Sequence, residues 1–438
     1  MNSNRKHYKE AFVWIWLPDE TQPVVAGKLM QLGDTLVFNY GQSYLAREDA
    51  IALFAPELPL KTGILPLLPG LSRPSCIRDA SPDAWGRRVI INRKFSSSGK
   101  KNLVYQLDEL TYLLESGSDR IGALDFQRSP TLYEPRTSAE APLEELIDAA
   151  SRVEKGIPLT PALNEALNHG TSIGGARPKA LIEDHKTKYI AKFSSSSDLF
   201  SIVKSEFIAM RFAHLIGLDV AEVTLTQSSN KDVLLVKRFD RVASETGWQR
   251  KCMVSALTLF ELDEMMARYA SYEDLAEIIR FRFTDASITL RELFSRITFN
   301  ILCGNTDDHA RNHAAFWDGQ RLTLTPAYDI CPQNRIGNEA SQAMLISGNN
   351  RMSKISVCLD TAQRYLLSER EALAIVEHQI NTIGTQWQSV CDQAHLSQID
   401  RQLMLGRQFL NPFAFDDLVD DRSYLKKIAS DYCIPSPV

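Results

Sequence analysis

Apolar positions alternate with polar ones near the start of this chain and recur with helical spacing towards its end. Ala11-Phe12-Val13-Trp14-Ile15-Trp16-Leu17 is aromatic and β-branched, and Pro18-Asp19-Glu20 follows as a turn. Val24 to Leu29 and Thr35 to Tyr40 read as two more strands. After a proline-rich stretch, Asp79 to Arg88 opens a helix, with Ser81 as its cap and Pro82 in its first position. These elements predict a small α/β module over residues 1–110. Asp125 to Thr137 is polar, carries two prolines and reads as a linker, and Ala141 to Val153 returns to helical spacing.

The pattern changes again at Thr171. A glycine turn precedes two hairpin strands, Ala180-Leu181-Ile182 and Tyr189 to Phe193. Phe200, Val203, Phe207, Met210, Leu215 and Ile216 then share one helix face, which Gly217 closes. Val220 to Thr226 and Val233 to Phe239 are strands. Past Gly247 the spacing is mostly helical, with strands only near Arg321-Leu322-Thr323-Leu324. Strands first and helices later predict an α+β architecture in two lobes. The expected division is 1–110, a strand-rich 111–240 and a helical 241–438.

Composition narrows the class. Hydrophobic residues make up 44% and charged residues 24% of 438 positions, which fits a globular protein too long for one core. A net charge of -5 gives no global signature of nucleic-acid binding. The 7 cysteines lack the spacing of a zinc knuckle or redox pair and read as reduced thiols. No apolar run approaches the roughly 20 residues that span a bilayer, and the N-terminus does not look like a signal peptide. A cytoplasmic protein with no membrane association is expected.

The candidate chemistry concentrates in Gly304-Asn305-Thr306-Asp307-Asp308-His309-Ala310-Arg311-Asn312 and Thr325-Pro326-Ala327-Tyr328-Asp329. An Asp, an Asn five positions on and a later Asp form the inventory of phosphoryl transfer. One carboxylate handles the attacking hydroxyl, and an amide and a second carboxylate suit Mg2+ on the phosphates of ATP. The same residues also fit a capped turn or another metal site. Upstream, Gly174 and Gly175 lie in Thr171 to Lys179, a segment that suits either an anion-binding loop or a tight hairpin turn. Lys192 interrupts an apolar strand, where it either neutralises phosphates with Glu206 as its orienting partner or points its head into solvent. Leu234 to Arg241 is an apolar strand that runs into charge; this suits a nucleotide-binding hinge with Asp240 on the ribose, or a salt-bridged loop.

In this order the pieces resemble the HipA family of serine/threonine-kinase toxins. The matching residues are Ser172 to Lys179, Ile190-Ala191-Lys192, Ser205-Glu206-Phe207, Lys237 to Arg241, Gly304 to Asn312 and Leu324 to Asp329. Asp79 to Arg88 and Asp119-Arg120-Ile121-Gly122-Ala123-Leu124 are similar to signatures of the family's N-terminal module. The resemblance implies a two-lobed protein-kinase-like fold. In it Asp307 is the catalytic base, and Asn312 and Asp329 are the magnesium ligands. Lys192 and the loop Ile173, Gly174, Gly175, Ala176, Arg177, Pro178 and Lys179 lie on the phosphates. Lys237 and Phe239 present hinge backbone to adenine, and His309 and Tyr328 lie beside the nucleotide. It implies autophosphorylation at Ser172, a HipB-like helix-turn-helix antitoxin as partner, operator DNA bound through that complex, and a protein substrate such as an aminoacyl-tRNA synthetase. Arg177-Pro178 replaces the Gln-Glu of some members. Arg351, Lys354 and Arg364 are candidate DNA contacts. The competing readings are a co-repressor with little kinase activity and a small-molecule kinase.

Overall fold

The computed structural model describes residues 8–96, 107–136, 141–160, 163, 167, 175, 177–184, 186–194, 198, 201–335 and 337–433. Its internal contacts divide it into two compact units. The first holds Met1–Asp198, Thr226–Val254 and Phe316–Gln320; the second holds Leu199–Leu225, Ser255–Ala315 and Arg321–Val438. Strands dominate the first and helices the second, so the fold is α+β.

In the first unit, strands β1 (Glu10–Ile15), β2 (Val24–Leu32), β3 (Thr35–Tyr40) and β4 (Leu124–Gln127) form an antiparallel sheet in the order β3-β2-β1-β4. β4 corrects two expectations. The N-terminal module does not stop at residue 110, and the polar stretch from Asp125 does not begin as a linker. Asp125 is fully buried and accepts from Arg120 Nε at 2.9 Å and Arg136 Nη2 at 2.8 Å. Paired in this way, a charged residue can occupy a buried strand.

Helix α1 (Ala84–Ser96) also starts later than its sequence suggests. Ser81 spends its hydroxyl on Ile77 O, and Asp83 Oδ1 accepts from Gly86 N at 2.8 Å, so Asp83 is the cap. Helix α2 (Glu109–Glu115) lies beside α1 through a bidentate Arg87–Glu109 pair. Trp85 and Val89 of α1 pack with helix α3 (Leu143–Glu154) through Leu146, Ile147, Ala150 and Val153.

That core is capped by a second sheet. It is built from β5 (Lys179–Glu183), β6 (Lys188–Phe193), β7 (Val223–Ser228) and β8 (Lys231–Lys237) in the order β5-β6-β8-β7, with the C-terminal half of β7 in this unit. Ala180, Ala191, Phe193 and Val233 face the helices. Side chains alternate along a strand, so Lys192 points to the opposite face, which it shares with the buried Leu181, Leu234 and Val236. A hairpin of β9 (Arg241–Ser244) and β10 (Gly247–Arg250) follows. Three short strands come later: β11 (Met253–Ser255), β12 (Ala314–Trp317) and β13 (Leu322–Leu324). The sequence pattern showed only β13 of these.

In the second unit, helix α4 (Ile202–Leu215) ends as expected, with Gly217 at φ 87°. Helices α5 (Tyr272–Arg282), α6 (Ala286–Cys303), α7 (Glu369–Gln393) and α8 (Ser423–Cys433) follow. Trp387 of α7 stacks on Phe212 of α4 with ring centroids 5.9 Å apart, and Phe409 closes the cluster at 5.1 Å from Trp387. α6 is buried along most of its length, which holds its C-terminal end in a fixed place.

Candidate active site

The candidate catalytic loop begins where α6 stops. Gly304 takes the left-handed conformation, φ 73° and ψ 24°, and a Cβ there would lie 2.7 Å from Gln408 O. Glycine alone satisfies both conditions. The loop then turns back under α6. Asn305 Nδ2 donates to Asn300 Oδ1 at 2.9 Å, and Asn300 Nδ2 donates to Asp308 Oδ2 at 2.7 Å. Tyr272 OH donates to the same Asp308 oxygen at 2.5 Å, and His313 Nε2 bonds it at 2.9 Å.

Asp308 is thus the buried anchor of the loop, 3% exposed. Burial opposes its ionisation, but the charge and hydrogen bond of His313 and the Tyr272 hydrogen bond outweigh it and hold the carboxyl below its ordinary range. Burial and the neighbouring Asp308 push the Tyr272 hydroxyl well up, so it remains a donor.

With Asp308 turned inward, Asp307 is left at the surface. Its pKa is raised, first by loss of hydration to the surrounding loop and then by the negative charges of Asp329 and Asp308; the charge of His309 works in the opposite direction. Asn312 is 8% exposed; its backbone N donates to His309 O at 2.8 Å and its Nδ2 to Asp307 O at 3.3 Å. One amide hydrogen is thereby used on the loop's own backbone, and Oδ1 is an acceptor. His309 is half-buried, and its Nδ1 lacks a hydrogen-bond partner among the described residues.

Asp329 reaches this group along an anchored segment. Val220 and Ala327 form a parallel bridge, and Ala327 N donates to Asp219 O at 2.8 Å. Arg296 of α6 donates to both Asp219 O and Thr325 O, at 3.1 and 3.0 Å. Tyr328 OH donates to Arg311 O at 2.7 Å, and Asp329 follows at φ 59°, a strained conformation for a residue with a Cβ. Asp307, His309, Asn312, Tyr328 and Asp329 therefore gather in the second unit. Glu206 is also there, buried on α4.

The remaining expected residues belong to the first unit. Ser172, Ile173, Gly174 and Ala176 lie outside the described residues. Lys192 is half-buried on β6, and Lys237 half-buried at the end of β8. Phe239 meets Phe316 edge-on at 5.9 Å. Arg177 pairs with Asp198 at 3.0 Å, and Pro178 O accepts from Phe193 N at 3.1 Å. Lys179 departs from its expected place on the phosphates: its side chain is 3% exposed, with its Nζ 3.3 Å from Asp83 Oδ2.

Asp240 departs as well. Instead of facing a ribose it is buried and accepts from Arg238 Nε at 2.9 Å, Arg241 Nη1 at 2.9 Å and Gly122 N at 2.8 Å. Arg238 and Arg241 also share Asp119 Oδ1, at 2.9 and 3.0 Å, and Lys188 takes Asp119 Oδ2 at 2.7 Å. Burial opposes the charge on Asp240, yet Arg238 and Arg241 hold it down to about 2. Asp119 is likewise lowered against its burial by Arg238, Arg241 and Lys188. The charged end of β8 is therefore a structural lock onto Asp119 and Gly122.

Sequence reading missed the polar support of the catalytic loop: Asn300, Asn305, Tyr272, Asp308 and His313. The available signal was Asn300, an amide in the apolar last turn of α6 that needs a buried partner. The candidate DNA contacts are tied within the second unit. Arg351 donates to Ala343 O and Arg268 O, Lys354 pairs with Asp417 at 2.6 Å, and Arg364 pairs with Glu273 at 2.6 Å. Among the described residues no helix is long and apolar enough to cross a membrane.

Comparison with known proteins finds two matching family models. Residues 15–127 match the HipA N-terminal domain, and residues 171–387 match the HipA-like C-terminal domain. Y4mE of Sinorhizobium fredii, named as a candidate kinase, is 23% identical over 312 residues, 67% of this chain and 71% of that protein. The serine/threonine-protein kinase toxin HipA of Shewanella oneidensis is 28% identical over 158 residues, 32% of this chain and 36% of that protein. A solved structure of HipA with HipB and operator DNA from Shewanella oneidensis is similar in fold. Its TM-score is 0.63 at 17% identity, covering 97% of this chain and 96% of that one.

Proposed function

The chain belongs to the HipA family, and from that premise we propose that it is a serine/threonine-protein kinase toxin that moves the γ-phosphate of ATP to a protein hydroxyl. The observation that carries this reading is the loop after α6. Four side chains hold Asp308 and its neighbours inward, and the same constraint leaves Asp307 outward beside Asp329.

Asp307 accepts the hydrogen bond of the attacking hydroxyl and takes its proton as the phosphoryl group arrives. A carboxylate raised above the ordinary aspartate range is a better base than a free one. Asn312 Oδ1 and the Asp329 carboxylate are hard oxygen donors, and the mutual charge of Asp307 and Asp329 favours a cation there, so the residues fit Mg2+. When bound, the ion neutralises charge on the β- and γ-phosphates. Lys192, on the face of its sheet opposite Ala191 and Phe193, contacts phosphate oxygens with Glu206 orienting it, and the backbone at Lys237 and Phe239 reads adenine.

The reading extends to self-modification at Ser172 and to a HipB-like antitoxin, which the solved complex of a relative supports. Operator DNA is then bound through that complex. An aminoacyl-tRNA synthetase is the proposed cellular target. Incubating the protein with Mg2+, γ-labelled ATP and a cell lysate tests the reaction class. One labelled protein band besides the chain itself is expected. Label confined to a small metabolite, or no label at all, contradicts a protein kinase.

A further inference from the structure

The mechanism above leaves the motif Ser81 to Arg88 unused, although the first turn of α1 makes specific contacts far along the chain. Asp83 divides its two oxygens between two tasks. Oδ1 caps α1 through Gly86 N at 2.8 Å, and Oδ2 takes Lys179 Nζ at 3.3 Å. Two residues on, Trp85 N donates to Gly175 O at 3.4 Å and Trp85 Nε1 donates to Lys179 O at 3.0 Å. Gly175 and Lys179 bound one short segment of the glycine loop. A single helical turn therefore holds both of its ends, by backbone and by charge.

The packing shows a built contact. Trp85 is 1% exposed, and the side chains of Lys179 and Asp83 are 3% and 12% exposed. Gly175 sits at φ +109°, and a Cβ there would lie 2.4 Å from Lys179 Nζ. Glycine is favoured here by its backbone conformation, and the Lys179 ammonium lies against it. A buried ammonium without its carboxylate is costly, so the loop end and the helix turn stay together. The contact also joins the two family regions, since Asp83 and Trp85 fall in the first and Gly175 and Lys179 in the second.

We propose that the first turn of α1 is the anchor of the glycine loop. Asp83 and Trp85 are positioning residues for ATP, and Lys179 shapes the loop instead of binding phosphate. The proposal rests on the kinase reading for its consequence and on the contact itself for its existence.

Asp83→Asn in the full-length chain is the direct test, because asparagine still caps a helix but removes the charge from Lys179. Two readouts are taken. Without nucleotide, amide hydrogen exchange over residues 175–179 should quicken about tenfold, the scale of one lost charge-assisted hydrogen bond. Trp85→Phe, which keeps a ring and loses the Nε1 donor, should quicken the same amides. Unchanged exchange in both variants overturns the anchor. With nucleotide, Asp83→Asn should raise KM for ATP about tenfold and leave kcat within about twofold, since loop placement acts on binding. Lys179→Met should do the same, and the double variant should be no worse than either single one. Multiplying effects, or a loss in Lys179→Met alone, would show that Lys179 contacts phosphate and overturn the assignment. If exchange quickens while the wild-type chain transfers no phosphate, the anchor stands and the kinase reading falls.

Discussion

Asp307 and Asp308 are neighbours of one residue type with opposite roles, and their variants should separate cleanly. Asp307→Asn removes an exposed carboxylate and should leave thermal stability almost unchanged while labelling from ATP disappears. Asp308→Asn turns an amide towards three donors and should cost about 3 kcal/mol in denaturant unfolding, with catalysis falling as a secondary result. The acid side of the pH–rate profile offers another test. With Asp307 as the proposed base, its raised carboxyl predicts that kcat/KM falls as pH drops through a value above the aspartate norm of about 3.9. A limb at or below that value contradicts its placement beside Asp329. At this scale the sequence revealed the spacing of Asp307, Asn312 and Asp329. Which of the adjacent carboxylates points outward was not legible, because Tyr272, Asn300 and His313 converge on Asp308 from separate segments.

Local signals placed most elements, and the departures share one cause. Period-two patterns located β1 to β3, β5, β6 and β8, and the apolar face located α4. β4 was hidden because Asp125 is paired with Arg120 and Arg136 and Gln127 donates to Asp125, and no local pattern shows a partner that arrives by folding. The start of α1 was misplaced for the same reason, since Ser81 serves the preceding turn and Asp83 serves both the helix and Lys179. The turn after α6 is the element on which the proposed phosphate transfer depends most. Gly304→Ala meets both a left-handed backbone and Gln408 O, so it should lower stability by about 2 kcal/mol and reduce phosphate transfer with it. Equal stability and activity in that variant would mean the turn does not position Asp307.

Across the whole molecule, the α+β arrangement followed from strands early and helices late. What composition could not show is a buried charge lattice in the strand-rich unit, where Asp119 and Asp240 meet Arg238 and Arg241. Both carboxylates are held below their unfolded values, so their contribution to stability is present above about pH 4 and is lost as pH falls through their folded values, about 2 for Asp240. Asp240→Asn should cost about 3–5 kcal/mol near neutrality, since it leaves buried arginines undercompensated, and should flatten the loss of stability between those pH values. The site and the lattice are structural claims; phosphate transfer by Asp307 is the functional one. It is tested most directly by incubating the wild-type chain and Asp307→Gln with Mg2+ and γ-labelled ATP and mapping the label by mass spectrometry. Label on Ser172 of the wild-type chain and none on the variant is the predicted result. Equal labelling of both proteins, or none on either, would contradict it.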